Sequence, residues 1–296
     1  MAATLTDLAN ACGTDKGTVA KQGHGYSLVY EPLFAPYRDR PVDILEVGLS
    51  IGGPEMGFDA SRAVSTAPSL DLWLRYFKEP RVVGFDISDF KKFEDPRFSF
   101  VQGDCGKAEE LDRVAKLGRM FDIIVDDGSH ASYHQHLTFL KLFPLLKPGG
   151  IYIIEDMTWQ PREYEAQLPK TPKMRVHLDR FLRNGAFDSV PTLPTGAYEA
   201  LAPQIGSVML YDTFTLWAYG DAYNRREHLK RERAGYPEKS KAGRFAAKAF
   251  RRSLLSRFAQ TLDVLAYDAR EIKLAIIHKE CPPAGRPLGL TEGRVQ

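Results

Sequence analysis

Short apolar runs alternate along this chain with longer stretches whose apolar positions recur at helical spacing. Val42–Val47 is an apolar run ended by Gly48, and Val82–Ile87 is a second. Phe98–Gln102, the β-branched Phe121–Val125 and Ile151–Ile154 follow. His134–Leu146 carries apolar residues at helical spacing, and Pro148-Gly149-Gly150 stops it. Short apolar strands separated by helices predict a parallel sheet buried on both faces. Right-handed crossovers make it a doubly wound, Rossmann-like α/β sheet. Upstream, Ala3–Ala11 and Tyr26–Phe34 read as helices around a polar, glycine-rich loop, Gly13–Gly25. Downstream, two antiparallel hairpins are available, Ser207–Tyr211 with Phe214–Ala218 and Val264–Tyr267 with Ile272–His278. The pattern leaves open which of them closes the sheet.

Four units are expected: an N-terminal helical lid segment (1–40), a core (41–219), a basic helical segment (220–262) and C-terminal strands with a tail (263–296). The length of 296 residues and 44% apolar content allow a sizeable core without disulfide or metal. Cys12, Cys105 and Cys281 are far apart with no CxxC spacing, which predicts free thiols and no zinc site. A net charge of +2 demands neither nucleic acid nor membrane. The start carries no basic-then-apolar pattern, and no run approaches the ~18 apolar residues of a membrane span. A cytoplasmic location is expected. Arg225–Arg257 holds twelve Lys or Arg against three Glu. It reads as a solvated helix pair, or, through the interleaved Phe245, Phe250, Leu254 and Leu255, as a surface for an acidic or lipid-linked partner.

In such sheets ligands bind beyond the carboxyl ends of the strands, so chemistry is sought there. Leu45-Glu46-Val47-Gly48 opens a glycine-containing turn that reaches Gly53, where backbone can approach a ligand closely. Asp86 ends the second strand and can accept both ribose hydroxyls of an adenosine, whether from NAD or from S-adenosylmethionine. Asp104, at the third strand end, can reach the adenine amine. A tight turn and two cap residues are the plain alternatives. The fourth strand ends in Asp126-Asp127-Gly128-Ser129-His130 and the fifth in Glu155-Asp156. Neighbouring strand ends lie ~5–10 Å apart, so Asp127 and Asp156 can share one hard cation, and Mg²⁺ suits oxygen ligands. His134 and His136 read as a helix face near the site rather than as ligands.

Taken in order, these strings resemble a class I S-adenosylmethionine-dependent methyltransferase. More narrowly, they resemble the metal-dependent macrocin and mycinamicin type of sugar O-methyltransferase from antibiotic biosynthesis. Gly13-Thr14-Asp15-Lys16-Gly17, His24-Gly25-Tyr26, Tyr30-Glu31, Trp73, Tyr76-Phe77 and Leu146-Lys147-Pro148-Gly149-Gly150 carry the likeness beside the strand ends. It runs from about Gly13 to Trp159. The resemblance implies a methyltransferase sheet with an antiparallel closing hairpin. It places Glu46 and Gly48 against the methionine end of the cofactor, Asp86 with Ile87 at the ribose, and Asp104 with Cys105 at the adenine. Asp126 would lie against the cofactor too, and Lys16 and Tyr26 would fold over it as a lid. Asp127, Asp156 and more weakly Glu155 match metal ligands, and His130 matches the general base. Gly52–Ser69 is assigned to the substrate mouth.

The expected reaction is methyl transfer to a hydroxyl of a sugar or glycosylated natural product. Mg²⁺ on Asp127 and Asp156 would grip vicinal hydroxyls, and His130 would take the proton. The expected partner is a small glycosylated substrate, neither nucleic acid nor membrane, and a homo-oligomer is compatible. Two rivals remain open at this point. An NAD-dependent oxidoreductase would use Gly48, Gly52 and Asp86, although the 34 residues from Gly52 to Asp86 exceed the roughly 20 of that fingerprint. A non-catalytic binding module of the same fold would leave Asp127, His130 and Asp156 idle.

Overall fold

A computed structural model describes residues 3–19, 23–50, 52–212 and 272–281. The seven strands form one sheet in the order β3-β2-β1-β4-β5-β7-β6. They are β1 (Pro41–Val47), β2 (Glu79–Asp86), β3 (Phe98–Gln102), β4 (Phe121–Asp126), β5 (Leu146–Ile154), β6 (Ile205–Asp212) and β7 (Ile272–Lys279). The first five run parallel, whereas β7 is antiparallel to both β5 and β6. The helices are α1 (Leu5–Cys12), α2 (Tyr26–Phe34), α3 (Pro68–Tyr76), α4 (Ala108–Ala115), α5 (Ser132–Leu142), α6 (Arg162–Glu165), α7 (Met174–Asn184) and α8 (Ala197–Leu201).

Side chains alternate across the sheet and divide the core in two. Val42, Ile44, Ile123, Val125, Ile151, Ile153, Leu274 and Ile276 face one side, packed by α1, α2 and α3 through Leu5, Tyr30, Phe34 and Trp73. Leu45, Val47, Val83, Ile124, Tyr152, Ile154 and Ile277 face the other, packed by α4, α5, α7 and α8. The near-continuous apolar strands are thus explained by burial on both faces. The segment before residue 40 contributes to this core: Leu5, Ala9, Tyr26, Tyr30 and Phe34 are fully buried. α1 is well specified locally. Thr4 and Asp7 form a capping box, and Gly13 ends the helix in the left-handed conformation.

An antiparallel pair closes the sheet, but it draws one strand from each candidate hairpin. Ser207–Tyr211 lies in β6 and Ile272–His278 in β7, and the two pair through Met209↔Ile276. The other halves, Phe214–Ala218 and Val264–Tyr267, and the basic stretch Arg225–Arg257 fall outside the described residues. All three cysteines are free, as expected. Among the described residues no helix is long and apolar enough to cross a membrane.

Between α5, α7 and α8, Tyr198 and Phe187 meet around two buried histidines. His136 is fully buried; its Nδ1 meets the Tyr198 hydroxyl at 2.5 Å and its Nε2 the Pro172 carbonyl at 3.0 Å. His177 stacks on Phe187 at 4.9 Å and meets Tyr198 at 4.3 Å, and its buried Nε2 has no hydrogen-bond partner among the described residues. Burial pushes His136 down to about 3 and His177 down to about 4. Both stay neutral in the folded chain, while the unfolded chain takes up protons below ~6.5, so their penalty grows as pH falls through that value. His177→Phe removes one such penalty and the unsatisfied nitrogen. It should raise Tm more at pH 5 than at pH 7.5, the extra gain being about 1 kcal/mol or roughly 2–4 °C. An equal effect at both pH values in calorimetry would contradict this.

Candidate active site

The register aligns the carboxyl ends of the central strands. Val47 pairs with Phe85 and Asp126, and Asp126 pairs with Ile154. Gly48, Asp86, Asp127 and Glu155 therefore emerge along one rim. A Cβ at Gly48 would stand 2.0 Å from the Asp127 carbonyl oxygen, and its φ is +80°, so only glycine lets β1 and β4 approach this closely. A cleft opens over β1, β2 and β3, lined by Gly48, Asp86, Ile87, Asp104, Cys105, Asp127 and Tyr164. Asp86 braces the turn after β1, accepting from Leu49 N at 2.8 Å and from Ser88 N at 2.7 Å. Asp104 Oδ1 accepts from Gly106 N at 2.8 Å.

Beside this cleft lies a second, more polar cluster. Lys16 is 1% exposed, and its ammonium donates to Asp127 Oδ2 at 2.6 Å and Glu155 Oε2 at 3.0 Å, with Glu46 Oε1 at 3.7 Å. Trp73 Nε1 holds the other Glu46 oxygen at 2.9 Å, and the Tyr30 hydroxyl holds Glu155 Oε1 at 2.7 Å. Burial pushes Glu46 up to about 7 against the pull of Lys16. Burial likewise raises Asp127 and Glu155. For Lys16, burial works against its charge, but Asp127, Glu155 and Glu46 outweigh it and hold the ammonium charged.

Asp156 differs from these three. Burial opposes its charge, yet His24, Lys273 and His130 surround it and hold its carboxyl well below the usual range. The Tyr26 hydroxyl donates to Asp156 Oδ1 at 2.7 Å, Lys273 Nζ lies 3.3 Å away, and His24 Nε2 lies 3.5 Å from Oδ2. One ligand atom each from Asp127, His130 and Asp156 falls within 4.8 Å of the others. Among the described residues, the non-glycine positions with positive φ are His130 (59°) and Asp156 (48°). A left-handed conformation costs about 1–2 kcal/mol per residue, so the chain is bent at both corners of this group.

Several expected residues lie elsewhere. Asp126 points into the core, where it accepts from Thr138 Oγ1 and lies 3.4 Å from the Tyr152 hydroxyl; burial pushes it up to about 6. Being a β4 residue, it faces opposite to Val125, while Asp127 already lies past the strand. Glu155 is turned onto Lys16 and Tyr30, apart from the Asp127, His130 and Asp156 group. Lys16 and Tyr26 meet strand-tip carboxylates instead of lining the cleft. His134 is buried behind the cleft wall, with Nδ1 at 2.7 Å from Ser129 Oγ and 3.3 Å from Cys105 Sγ, both of which line it, and burial pushes it down to about 4. His136 faces the core. Of Gly52–Ser69, the first residues, Gly52 to Glu55, line the cleft. Sequence reasoning missed Tyr164 and Lys273. The first sits on a four-residue helix, and the second on a strand whose partner could not be assigned.

No family model matches the chain. It is 39% identical over 153 residues to an 8-demethyl-8-alpha-L-rhamnosyl tetracenomycin-C 2'-O-methyltransferase of Streptomyces olivaceus, covering 52% of this chain and 37% of that protein. It is also 39% identical over 137 residues to the mycinamicin VI 2''-O-methyltransferase of Micromonospora griseorubida, covering 45% and 32%. The match thus spans about a third of these relatives' own length. A solved MycE methyltransferase from the mycinamycin pathway, in complex with Mg and SAH, superposes with TM-score 0.58 at 21% identity, covering 98% of this chain and 58% of that one. The chain has the methyltransferase fold. Its similarity in sequence is to sugar O-methyltransferases of antibiotic pathways.

The lysine cluster gives a direct test. Lys16→Met leaves Glu46, Asp127 and Glu155 facing one another without a cation, at an expected cost of about 3–5 kcal/mol at pH 7.5. The deficit should shrink at pH 6. Without the ammonium the carboxyls stand still higher in the folded chain, so folding takes up protons and gains from acidification. A urea midpoint equal to that of the parent at pH 7.5, or a deficit that grows on acidification, would remove Lys16 from this role.

Proposed function

We propose that the chain is an S-adenosylmethionine-dependent O-methyltransferase acting on a hydroxyl of a sugar or glycosylated natural product. One observation carries the chemistry: ligand atoms of Asp127, His130 and Asp156 converge within 4.8 Å beside the cleft over β1–β3. The named activities of the relatives support the methyl donor and the sugar acceptor, and favour this reading over an oxidoreductase. A small glycosylated substrate and a cytoplasmic location follow from it.

The donor set fits a hard divalent cation. Asp127 and Asp156 offer oxygen, which suits Mg²⁺, and Asp156 is held ionised by its surroundings. These two carboxylates would hold the ion, as the MycE structure with Mg and SAH supports for a protein of this fold. A cation there lowers the pKa of a hydroxyl bound to it. His130 is the proton acceptor, since its buried Nδ1 has no hydrogen-bond partner among the described residues. Asp86 would take the ribose hydroxyls, with Ile87 beside it, and Asp104 and Cys105 the adenine, because all four line the cleft. Gly48 also lines the cleft and would face the methionine end of the cofactor, whereas Glu46 is fully buried against Trp73 behind it. Holding donor and acceptor in line supplies most of the rate advantage, because the sulfonium methyl is already activated.

His130→Ala should lower kcat by roughly 10²–10⁴-fold in a labelled-methyl transfer assay on glycosylated acceptors. Asp127→Asn and Asp156→Asn should abolish stimulation by Mg²⁺. Full turnover by the His130 variant would sink the base assignment. Undiminished turnover in EDTA would sink the metal but leave methyl transfer standing.

A further inference from the structure

The turn after β5 presents a large aromatic surface beside the candidate acceptor site. Trp159 is 36% exposed, whereas Trp73 is fully buried. The Trp159 ring meets the His130 ring at 5.4 Å with an interplanar angle of 77°. Its backbone N–H donates to the Asp156 carbonyl at 2.9 Å, so the indole is tied to the same left-handed corner that aims Asp156.

The turn that carries it is braced from beneath. Met157 N donates to the Lys273 carbonyl at 3.0 Å. Gln160 Nε2 donates to the Met157 carbonyl at 2.8 Å. Arg175, buried on α7, donates to that carbonyl and to Gln160 Oε1. A large apolar ring on so well-fixed a loop, left partly open to water, is a preorganised contact surface rather than a mobile side chain.

Resting on the functional reading above, we infer that Trp159 is a binding platform for the sugar ring of the acceptor. A pyranose is amphipathic: hydroxyls line its edge, and C–H groups with small positive charge line its faces. The indole is the most electron-rich aromatic side chain and receives such C–H groups on its π-system. The reacting hydroxyl must come within hydrogen-bond reach of His130. A ring in contact with His130 therefore lies alongside the very sugar being methylated, at a separation about as wide as the pyranose itself. Stacking there restrains the ring's tilt and so decides which hydroxyl meets His130. Trp159 is thus a substrate-contacting residue that acts on acceptor affinity and on regiochemistry, and it leaves the methyl donor untouched.

The probe is phenyl α-L-rhamnopyranoside, titrated calorimetrically into the whole protein with Mg²⁺ and S-adenosylhomocysteine present, with phenol as the aglycone control. Trp159→Leu keeps apolar bulk but removes the flat π-face. It should weaken glycoside binding about tenfold or more, while Trp159→Phe stays within about threefold of the parent. Affinity for S-adenosylhomocysteine and Tm should be the same in all three. Equal glycoside affinity for parent and Trp159→Leu, equal losses for Leu and Phe, or no saturable glycoside binding by the parent would each overturn the inference. Methyl transfer is scored on the same preparations. Glycoside binding that depends on Trp159 without any transfer would overturn the functional reading and leave the platform standing.

Discussion

Three strand tips bring carboxylates toward one point, and a single buried ammonium makes that possible. Glu46, Asp127 and Glu155 belong to β1, β4 and β5 or the residues just past them; Glu46 and Glu155 are fully buried, and Asp127 borders the cleft, so little solvent screens their repulsion. Lys16 stands among them, carried in by the loop after α1. Taking four charged groups out of water is costly, and attraction in a low-dielectric interior offsets this only when geometry and further hydrogen bonds are in place. Here Trp73 and Tyr30 supply those bonds. The cluster fixes where Asp127 points, so the candidate cation site inherits its geometry from a buried ion pair.

Two neighbouring carboxylates with opposite tendencies then share the site. Asp156 is held ionised by His24, Lys273 and His130, whereas burial raises Glu155 one residue before it. Both lie just past β5, and the left-handed turn at Asp156 separates them. Glu155 turns back onto Lys16, while the left-handed Asp156 faces His130. Adjacent residues of like chemistry are thereby given different surroundings, one on Lys16 and Tyr30 and one in the group with Asp127 and His130.

Much of this was legible in the chain. Strands β1 to β5, α2 and the rim carrying Gly48, Asp86, Asp127 and Asp156 follow from apolar runs ending in glycine or acid. What failed to appear was set by distance along the chain or by the face a side chain takes. Asp126 and Asp127 are equivalent as letters, yet one lies on the strand with its side chain in the core and the other lies beyond it. Lys16 read as part of a lid, because nothing local reveals that it meets residues more than a hundred positions away. The closing strands each carried a good pattern, but nothing local revealed that β7 pairs with β5 and with β6, which lie far back in the chain.

That closure has a consequence for how the protein is made. β7 is the last described strand in the chain, yet it sits inside the sheet between β5 and β6, and its Lys273 reaches Asp156. On the ribosome, the nascent chain would display the edge of β5 uncapped until β7 has left the exit tunnel, a span in which stray pairing is a hazard. The acidic corner would likewise lack its second lysine over that interval. Synthesis therefore withholds a finished pocket from a chain that has not yet reached β7, the last described strand.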